Sequence, residues 1–168
     1  MATEPLRPPS SWHSFRARPN TFDQGDSAVT RTAISSEQAP DALGPYSQAI
    51  VSGGLVFCSG MAGIDPRTGA IADGIEAQTD QALRNLAAVL SAAGASMDDL
   101  VKTTIFYANV EDFGRLNDVY ARHMPDPPPA RSAPANVRLP RGLLVSIEAI
   151  AVLPGPSRTL AEPSDRGA

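Results

Sequence analysis

The sequence is poor in the residues that build disulfide, zinc and nucleotide sites. Its 168 residues include one cysteine, Cys58, and two histidines. An internal disulfide framework and a Cys/His zinc cluster are therefore excluded. The glycine-rich fingerprints of dinucleotide and nucleoside-triphosphate binding are also missing. These absences argue against a metal centre and against a nucleotide cofactor.

Long apolar runs and an excess of positive charge are missing too. No stretch approaches the ~18 apolar residues that span a bilayer, and the N-terminus lacks the apolar core of a secretory signal. The net charge is −4, from 14 basic and 18 acidic residues, which argues against nucleic-acid binding through a broad basic surface. We expect no membrane partner, no nucleic-acid partner and, from the single cysteine, a reducing compartment such as the cytoplasm.

The two ends of the chain lack apolar periodicity. Residues 1–33 and 154–168 are rich in proline and polar side chains, and such segments bury too little apolar surface to offset the entropy of ordering them. We predict that both are disordered extensions. Residues 34–153 then form one domain, near the commonest domain size.

Apolar patterns within residues 34–153 predict five strands and two helices. The strands are predicted at residues 46–51, 55–60, 100–107, 130–137 and 143–153, and the helices at residues 75–93 and 112–123. The order β-β-α-β-α-β-β indicates an α+β domain. Both helices are amphipathic, so both should lie on one face of the sheet, and a symmetric oligomer is the simplest cover for the other face.

Two features refine this sheet. Gly53 and Gly54 separate the first two predicted strands, which is typical of a two-residue hairpin. The last predicted strand is almost continuously apolar. We therefore expect it to be central in the sheet and covered on both sides.

Arg131 is the first candidate for ligand binding. It follows three consecutive prolines and an alanine at the start of a strand predicted to be buried, where an unpaired guanidinium would be costly. In one interpretation its planar fork binds the carboxylate of an amino-acid-like ligand. In the other it forms a structural ion pair with an internal acid such as Glu148. The physical chemistry of the residues alone leaves both interpretations open.

Glu148 lies inside the apolar last strand, two residues after Ser146, so both side chains face the same side. An acid in such a setting must be paired or functional. Cys58 and His123 have simpler explanations. A free cysteine in a strand is usually a small buried apolar group, and an imidazole at the end of a helix commonly caps carbonyl groups.

Six short blocks then occur in a familiar order and spacing. They are GPYSQA at 44–49, FCSG at 57–60, VKTT at 101–104, NDVY at 117–120, PARS at 129–132 and IEAIA at 147–151. On these blocks the chain resembles the RidA/YjgF family over about residues 34–153. The resemblance implies a homotrimer of chorismate-mutase-like α+β subunits, with a mixed sheet and a ligand cleft between neighbouring subunits. It also implies hydrolysis of reactive enamines and imines to 2-oxo acids and ammonia, without a metal or organic cofactor.

The resemblance assigns roles to individual residues. Arg131 matches the family's carboxylate-binding arginine, and Tyr46 matches a tyrosine that lines the cleft. Ser59 and Gly60 match a Ser-Gly pair beside the ligand. Asn117 matches a cleft asparagine from the second helix. A largely apolar pocket with a few polar groups is the usual setting for such ligands.

The sequence departs from the family at two places. Ala133 stands where deaminating members usually have cysteine or threonine, and the family mainly uses backbone atoms there. Pro134 next to it lacks an N–H and is expected to disturb the strand. Ser146 stands where those members have a glutamate that activates water. Serine can hold water but is not a base near neutral pH, which leaves Glu148 as the substitute acid.

Three functions remain open on this sequence. The first is a hydrolase for 2-aminoacrylate or 2-iminobutanoate, with Arg131, Ser146 and Glu148 as its catalytic residues. The second is a divergent member that acts on another imine or enamine, which Ser146 favours. The third is a non-catalytic protein that binds a small carboxylate through Arg131.

Overall fold

The computed structural model describes residues 30–155. The predicted disorder of residues 1–29 and 156–168 lies outside the described residues, as does His13. The chain order is β1 (Thr32–Ile34), β2 (Ala49–Ser52), β3 (Leu55–Ala62), α1 (Gly74–Ala92), β4 (Leu100–Tyr107), α2 (Phe113–Ala121), β5 (Ala130–Ser132) and β6 (Val145–Val152). Short 3-10 turns at Met97–Asp99, Val110–Asp112 and Pro140–Gly142 connect some of them.

The strands form one mixed sheet of six, in the order β1-β2-β3-β6-β4-β5. All neighbours are antiparallel except β4 and β5, which run parallel. Strands β2 and β3 form the predicted hairpin, in which Gly53 and Gly54 both have positive φ. Two successive residues with positive φ match the twist of antiparallel strands, and glycine accepts that geometry without a Cβ clash.

The core lies between the two helices and one face of the sheet. Helix α1 supplies a fully buried stripe that includes Leu83, Leu86 and Leu90, at the spacing of one helical face. Opposite them, Ile105 of β4 and Ile147 of β6 are among the fully buried residues of the sheet. The predicted α+β architecture, with both helices on one face of a mixed sheet, is confirmed.

Strand β6 is central, as predicted, but the chain itself covers only one of its faces. Val145 and Ile147 are buried beneath the helices, whereas Ser146 is half-buried and Glu148 and Val152 are exposed. Although β6 is almost continuously apolar, its residues alternate between a buried face and a more exposed face. The expectation that Glu148 sits inside an apolar interior is therefore wrong for the single chain. We call the side that carries Ser146 and Glu148 the open face.

Several elements differ in their bounds from the sequence prediction. Strand β1 was not predicted, and it pairs with β2 two residues before the expected start of the domain. Strand β2 begins at Ala49 rather than at residue 46, because the buried Gln48 side chain holds the preceding loop through hydrogen bonds to Ser36 and Pro40. Helix α2 ends at Ala121, two residues earlier than predicted.

Strand β5 is much shorter than predicted and is not buried. It contains only residues Ala130–Ser132, lies at the sheet edge beside β4, and is exposed throughout. Its regular pairing ends two residues before Pro134, which has no N–H to continue a ladder. The chain nevertheless stays beside β4 through two hydrogen bonds of Tyr107. The Tyr107 N–H donates to the Pro134 carbonyl at 3.3 Å, and the Tyr107 carbonyl accepts from the Val137 N–H.

Candidate active site

Arg131 lies at the exposed sheet edge, with its side chain held against helix α2. Its Nη1 donates a hydrogen bond of 2.9 Å to Oδ1 of Asn117. Its Cζ lies 4.8 Å from the ring centroid of Tyr120 and 5.8 Å from that of Phe113. The three partners are spaced four and three residues apart, so they share one face of the helix. An exposed arginine is thereby held in one place by an amide and two aromatic rings.

This arginine has no acidic partner in the described chain. None of the ion pairs among residues 30–155 includes Arg131, and Glu148 lies on the open face rather than near α2. The structural ion pair between Arg131 and Glu148 is therefore not formed in the single chain. A guanidinium has more N–H donors than the Asn117 bond uses. The remaining donors are available to a carboxylate.

A hydrogen bond to strand β4 fixes the position of the Tyr120 ring. Its hydroxyl shares a buried hydrogen bond of 2.7 Å with Oγ1 of Thr103 in β4. Burial raises the pKa of Tyr120 above its usual value, although the bond to Thr103 and the charge of Arg131 act in the opposite direction. The phenol therefore stays neutral at physiological pH and can keep this bond.

A cleft of about 550 Å³ opens beside Arg131 and Asn117. The end of α2 and the proline-rich segment that follows it form the other walls, with Met124, Pro128 and Pro129 as apolar contacts. A cationic group at one end of a mainly apolar cleft suits a small carboxylate ligand.

Gly60 and Ser146 meet on the other side of the sheet. The pairing of β3 with β6 shifts between Cys58 and Met61, so Gly60 lies in a bulge. A Cβ built on Gly60 would lie 2.5 Å from Oγ of Ser146, which shows how closely the hydroxyl approaches the glycine backbone. Next to Gly60, Ser59 donates its hydroxyl to the carbonyl of Ser47 at 2.7 Å.

Tyr46 and Gly60 line one small pocket of about 40 Å³. The hydroxyl of Tyr46 accepts a hydrogen bond of 3.0 Å from the N–H of Leu43, and the residue is 49% exposed. The structure thus brings Tyr46, Gly60 and Ser146 together, with Ser59 at the margin. We call these four residues the Gly60 group, and we call Arg131 with Asn117 the Arg131 group.

Glu148 and Ala133 belong to neither group. Glu148 lines an open-face depression of about 230 Å³ together with Phe57 and Lys102. The Lys102 ammonium donates to the hydroxyl of Ser132 at 2.7 Å. Ala133 is half-buried and packs against the core.

The two groups are well separated within one chain. Arg131 pairs with Thr103, which pairs with Ala149, and Ser146 lies three residues further along β6. With strands about 4.8 Å apart and a rise of about 3.3 Å per residue, the Cα atoms of Arg131 and Ser146 are about 14 Å apart. Arg131 also contacts α2 on the helical side, whereas Ser146 lies on the open face. Because the two groups lie on opposite sides of the sheet, one small substrate is not expected to contact both groups of the same chain.

Cys58 and His123 have structural roles. Burial raises the pKa of the Cys58 thiol to about 12, so it behaves as the expected small apolar residue. The sequence suggested that the His123 ring caps carbonyl groups, but the ring forms a different contact. Its Nε2 lies 2.8 Å from Oδ1 of Asp80 and ties the end of α2 to α1. Asp80 also pairs with Arg84.

Metal-ligand clusters and membrane-spanning helices are both absent from the described residues. Between residues 30 and 155, no three His, Cys, Asp or Glu side chains are grouped in the way that metal ligands are. In the same part of the chain, neither helix combines the length and apolar character needed to cross a bilayer.

Sequence reasoning named Arg131 and Asn117 but missed the residues that support them. Tyr120 and Thr103 entered only as members of the NDVY and VKTT blocks, and Phe113 only as part of the amphipathic second helix. The spacing of Phe113, Asn117 and Tyr120 was a signal that could have grouped them. The parallel pairing of β4 with β5, which places Thr103 beside Arg131, was not readable from the pattern.

Comparison with known proteins places this geometry in context. Residues 36–153 match the protein family described as Endoribonuclease L-PSP. Reactive Intermediate Deaminase A, chloroplastic, from Arabidopsis thaliana is 45% identical over 128 residues, which are 76% of this chain and 68% of that protein. The 2-iminobutanoate/2-iminopropanoate deaminase of Mus musculus is 42% identical over 127 residues, covering 75% and 94% of the two chains.

Solved structures agree with this assignment. RidA from the Antarctic bacterium Psychrobacter superposes with a TM-score of 0.70 at 39% identity, over 72% of this chain and 98% of that one. E. coli TdcF with bound serine superposes with a TM-score of 0.68 at 36% identity, again over 72% and 98%. The similarity therefore covers nearly the whole of these proteins.

Proposed function

This chain belongs to the RidA/YjgF family, and we propose that it hydrolyses small enamine or imine carboxylates to 2-oxo acids and ammonia. Substrates would be of the 2-aminoacrylate or 2-iminobutanoate type. Relatives named as deaminases of this kind are 38% to 45% identical to the chain. The cytoplasmic location stays a prediction, and one of these relatives is named as chloroplastic.

The observation that carries the proposal is the state of Arg131. Its guanidinium is exposed, is held by Asn117 and Tyr120, and forms no ion pair within residues 30–155. The contacts with Asn117 and Tyr120 orient the guanidinium and leave several of its N–H donors unused. A fixed and unpaired guanidinium is suited to bidentate recognition of a carboxylate.

The reaction needs orientation and proton transfer. An enamine first takes a proton at carbon and becomes an imine. Water then adds to the imine carbon, and the π electrons of the C=N bond take a proton at nitrogen. The added water then loses one proton and the nitrogen takes up a second, so that ammonia can leave with the electron pair of the C–N bond. Loss of the remaining hydroxyl proton forms the 2-oxo acid. A carboxylate fixed by Arg131 would hold the imine carbon in place for this attack.

In this proposal, Ser146 orients the attacking water. Its hydroxyl can both donate and accept, and it lies against the backbone of Gly60. Backbone groups near Gly60 and Ala133 would hold the water and the imine nitrogen. Serine cannot act as the base near neutral pH, so turnover would be slower than with a glutamate by up to about 10²–10⁴. Glu148, two residues along the same face, is the acid available to take up protons.

We infer that a complete site combines two chains. The Arg131 group and the Gly60 group are about 14 Å apart on opposite sides of the sheet in one chain. A second copy could bring its own Gly60 group to the Arg131 group and would also cover the open face. A closed homotrimer provides three such junctions, and Tyr46, Ser59 and Asn117 would then line the cleft between subunits.

The direct test is the release of a 2-oxo acid from 2-aminoacrylate generated by a second enzyme. Wild-type protein should accelerate the release, and Arg131→Ala should abolish the acceleration. Arg67→Ala is the matched control, because it removes a similar charge whose side chain is 86% exposed and pairs only loosely with Asp65, at 3.8 Å. No acceleration by the wild-type protein at high concentration would contradict the proposal.

Three other outcomes point to the alternatives. Ser146 favours a divergent member with another imine or enamine substrate, and Ser146→Glu would then raise turnover of 2-aminoacrylate from a low level. A non-catalytic role would give thermal stabilisation by 2-oxobutanoate or pyruvate without any turnover. RNA cleavage abolished by Arg131→Ala would indicate a nuclease instead.

A further inference from the structure

The guanidinium of Arg131 rests on a support that reaches into the core. The Tyr120 ring beneath it is only 5% exposed, with its centroid 4.8 Å from Cζ of Arg131. A cation over the face of an aromatic ring is attracted by the ring's quadrupole. The ring therefore limits the guanidinium to a plane, while Asn117 fixes its rotation through one N–H.

Thr103 connects this support to the strand that also positions the arginine backbone. Its hydroxyl and that of Tyr120 are 2.7 Å apart in a buried hydrogen bond, and Thr103 is fully buried. Thr103 is also the residue of β4 that pairs with Arg131 of β5. One strand position thus sets both the backbone of the arginine and the ring beneath its side chain.

Phe113 extends the same surface less closely. Its ring centroid is 5.8 Å from Cζ of Arg131 and 6.4 Å from the ring centroid of Tyr107. It is 42% exposed and forms no hydrogen bond that would fix its plane. The ring of Tyr120 is therefore the one whose position is set by the core.

We propose that Tyr120, fixed by Thr103, is a positioning residue that holds the Arg131 guanidinium ready for the substrate carboxylate. This inference rests on the proposed function. Tyr120 acts through Arg131 and not on the reacting atoms. Its removal should weaken carboxylate binding and leave the chemical step nearly unchanged, which appears as a higher KM at similar kcat.

The kinetic test compares variants that remove different parts of this support. Tyr120→Leu removes the ring and should raise KM about five- to thirty-fold, the loss expected for one cation–π contact and its ordering. Tyr120→Phe keeps the ring and should raise KM less. Thr103→Val should match Tyr120→Phe, and the two together should be no worse than either, because both remove the same hydrogen bond.

Two controls separate positioning from a loss of folding. Val119→Ala removes a buried neighbour in α2 that makes none of these contacts with Arg131, so it should lower the melting temperature without raising KM. Phe113→Leu, the second control, removes the more distant ring over Arg131 and should raise KM less than Tyr120→Leu does. An equal rise in KM in Val119→Ala and in Tyr120→Leu would show that Tyr120 is only structural and would overturn the inference.

A measurement without substrate decides the question if the wild-type protein shows no turnover. The Nε–H group of Arg131 can be followed by NMR relaxation in the intact protein. We expect a rigid group in the wild type and in Tyr120→Phe, and a mobile one in Tyr120→Leu. A mobile group in the wild type, or an equally rigid one in Tyr120→Leu, would refute the positioning role whatever the reaction is.

Discussion

Substitution of Gly60 tests the contact on which the role of Ser146 depends. A Cβ at position 60 would lie 2.5 Å from Oγ of Ser146 but 3.8 Å from its Cβ. The first contact is far too short, and the second is ordinary van der Waals contact. The φ of Gly60 is outside the left-handed range, so alanine is not opposed by the backbone. Among residues 30–155, the close obstacle to Gly60→Ala is therefore the hydroxyl of Ser146.

The expected cost follows from how that obstacle can move. Overpacking typically destabilises by about 1–3 kcal/mol, and a serine hydroxyl can rotate away, so we expect the lower end, about 1 kcal/mol. In a domain of this size, that corresponds to a fall in Tm of about 4 °C. Rotation would also remove the hydroxyl from the position against Gly60, so deamination should fall as well.

A matched double variant separates the two effects. Ser146→Ala removes the obstructing oxygen, so Gly60→Ala combined with Ser146→Ala should regain most of the lost Tm. It should not regain activity, because no hydroxyl remains to orient water. Thermal unfolding and 2-oxo acid release, measured on the same four proteins, give both answers. If the double variant is as destabilised as Gly60→Ala alone, the short contact does not exist as described.

Two further predictions concern buried groups. Asn85 is fully buried, and its amide donates to two backbone carbonyls at and just after the end of β3, both at 2.9 Å. Asn85→Ala should therefore lower the free energy of unfolding, measured by denaturant titration, by about 1–3 kcal/mol. A loss below about 0.5 kcal/mol would contradict this account. Because burial raises the pKa of Cys58 to about 12, the native protein should resist alkylation at pH 8 and react only when unfolded; rapid native labelling would show that the thiol is accessible.

The elements that the sequence predicted well are those whose signal is local. Strand β4 has the predicted bounds, because a β-branched and aromatic run lies between a turn and a helix. Helix α1 differs by one residue at each end, since its apolar stripe ends just before Gly94. In both cases the pattern contains the boundary and the buried face together.

Most of the wrong predictions concern burial, which depends on where each strand lies in the sheet. An edge position cannot be read from β5 itself, so the burial expected for Arg131 was wrong. The apolar run of β6 arose because Ile150 and Val152 lie on the open face, where Val152 is 44% exposed. Apolar residues on both faces of β6 predicted that both faces are covered, but within one chain the helices cover only one face. Strand β1 was missed because three residues give too little periodicity to detect.

The resemblance proposes a set of residues for the candidate site but no geometry for them. The resemblance named Arg131, Asn117, Tyr46, Gly60 and Ser146, yet a single chain divides them between two sides of the sheet. Spacing along a chain reports which residues share a helix or strand face. It does not report which faces of two subunits meet, and that requires the packing of a second copy.

Subunit complementation tests whether the two groups work across such a junction. Arg131→Ala lacks the carboxylate anchor, and the variant with Gly60→Ala and Ser146→Ala lacks the hydroxyl, so each should be inactive alone. If the chains form the proposed homotrimer, about one quarter of the clefts in randomly mixed trimers would combine an intact Arg131 from one chain with an intact Ser146 from the next. Unfolding and refolding the two variants together at equal amounts should therefore restore about one quarter of wild-type activity. Simple mixing without unfolding is the control and should restore none at first. If co-refolded protein forms mixed oligomers but stays inactive, both groups act within one chain, and the separation of about 14 Å must close by some other movement.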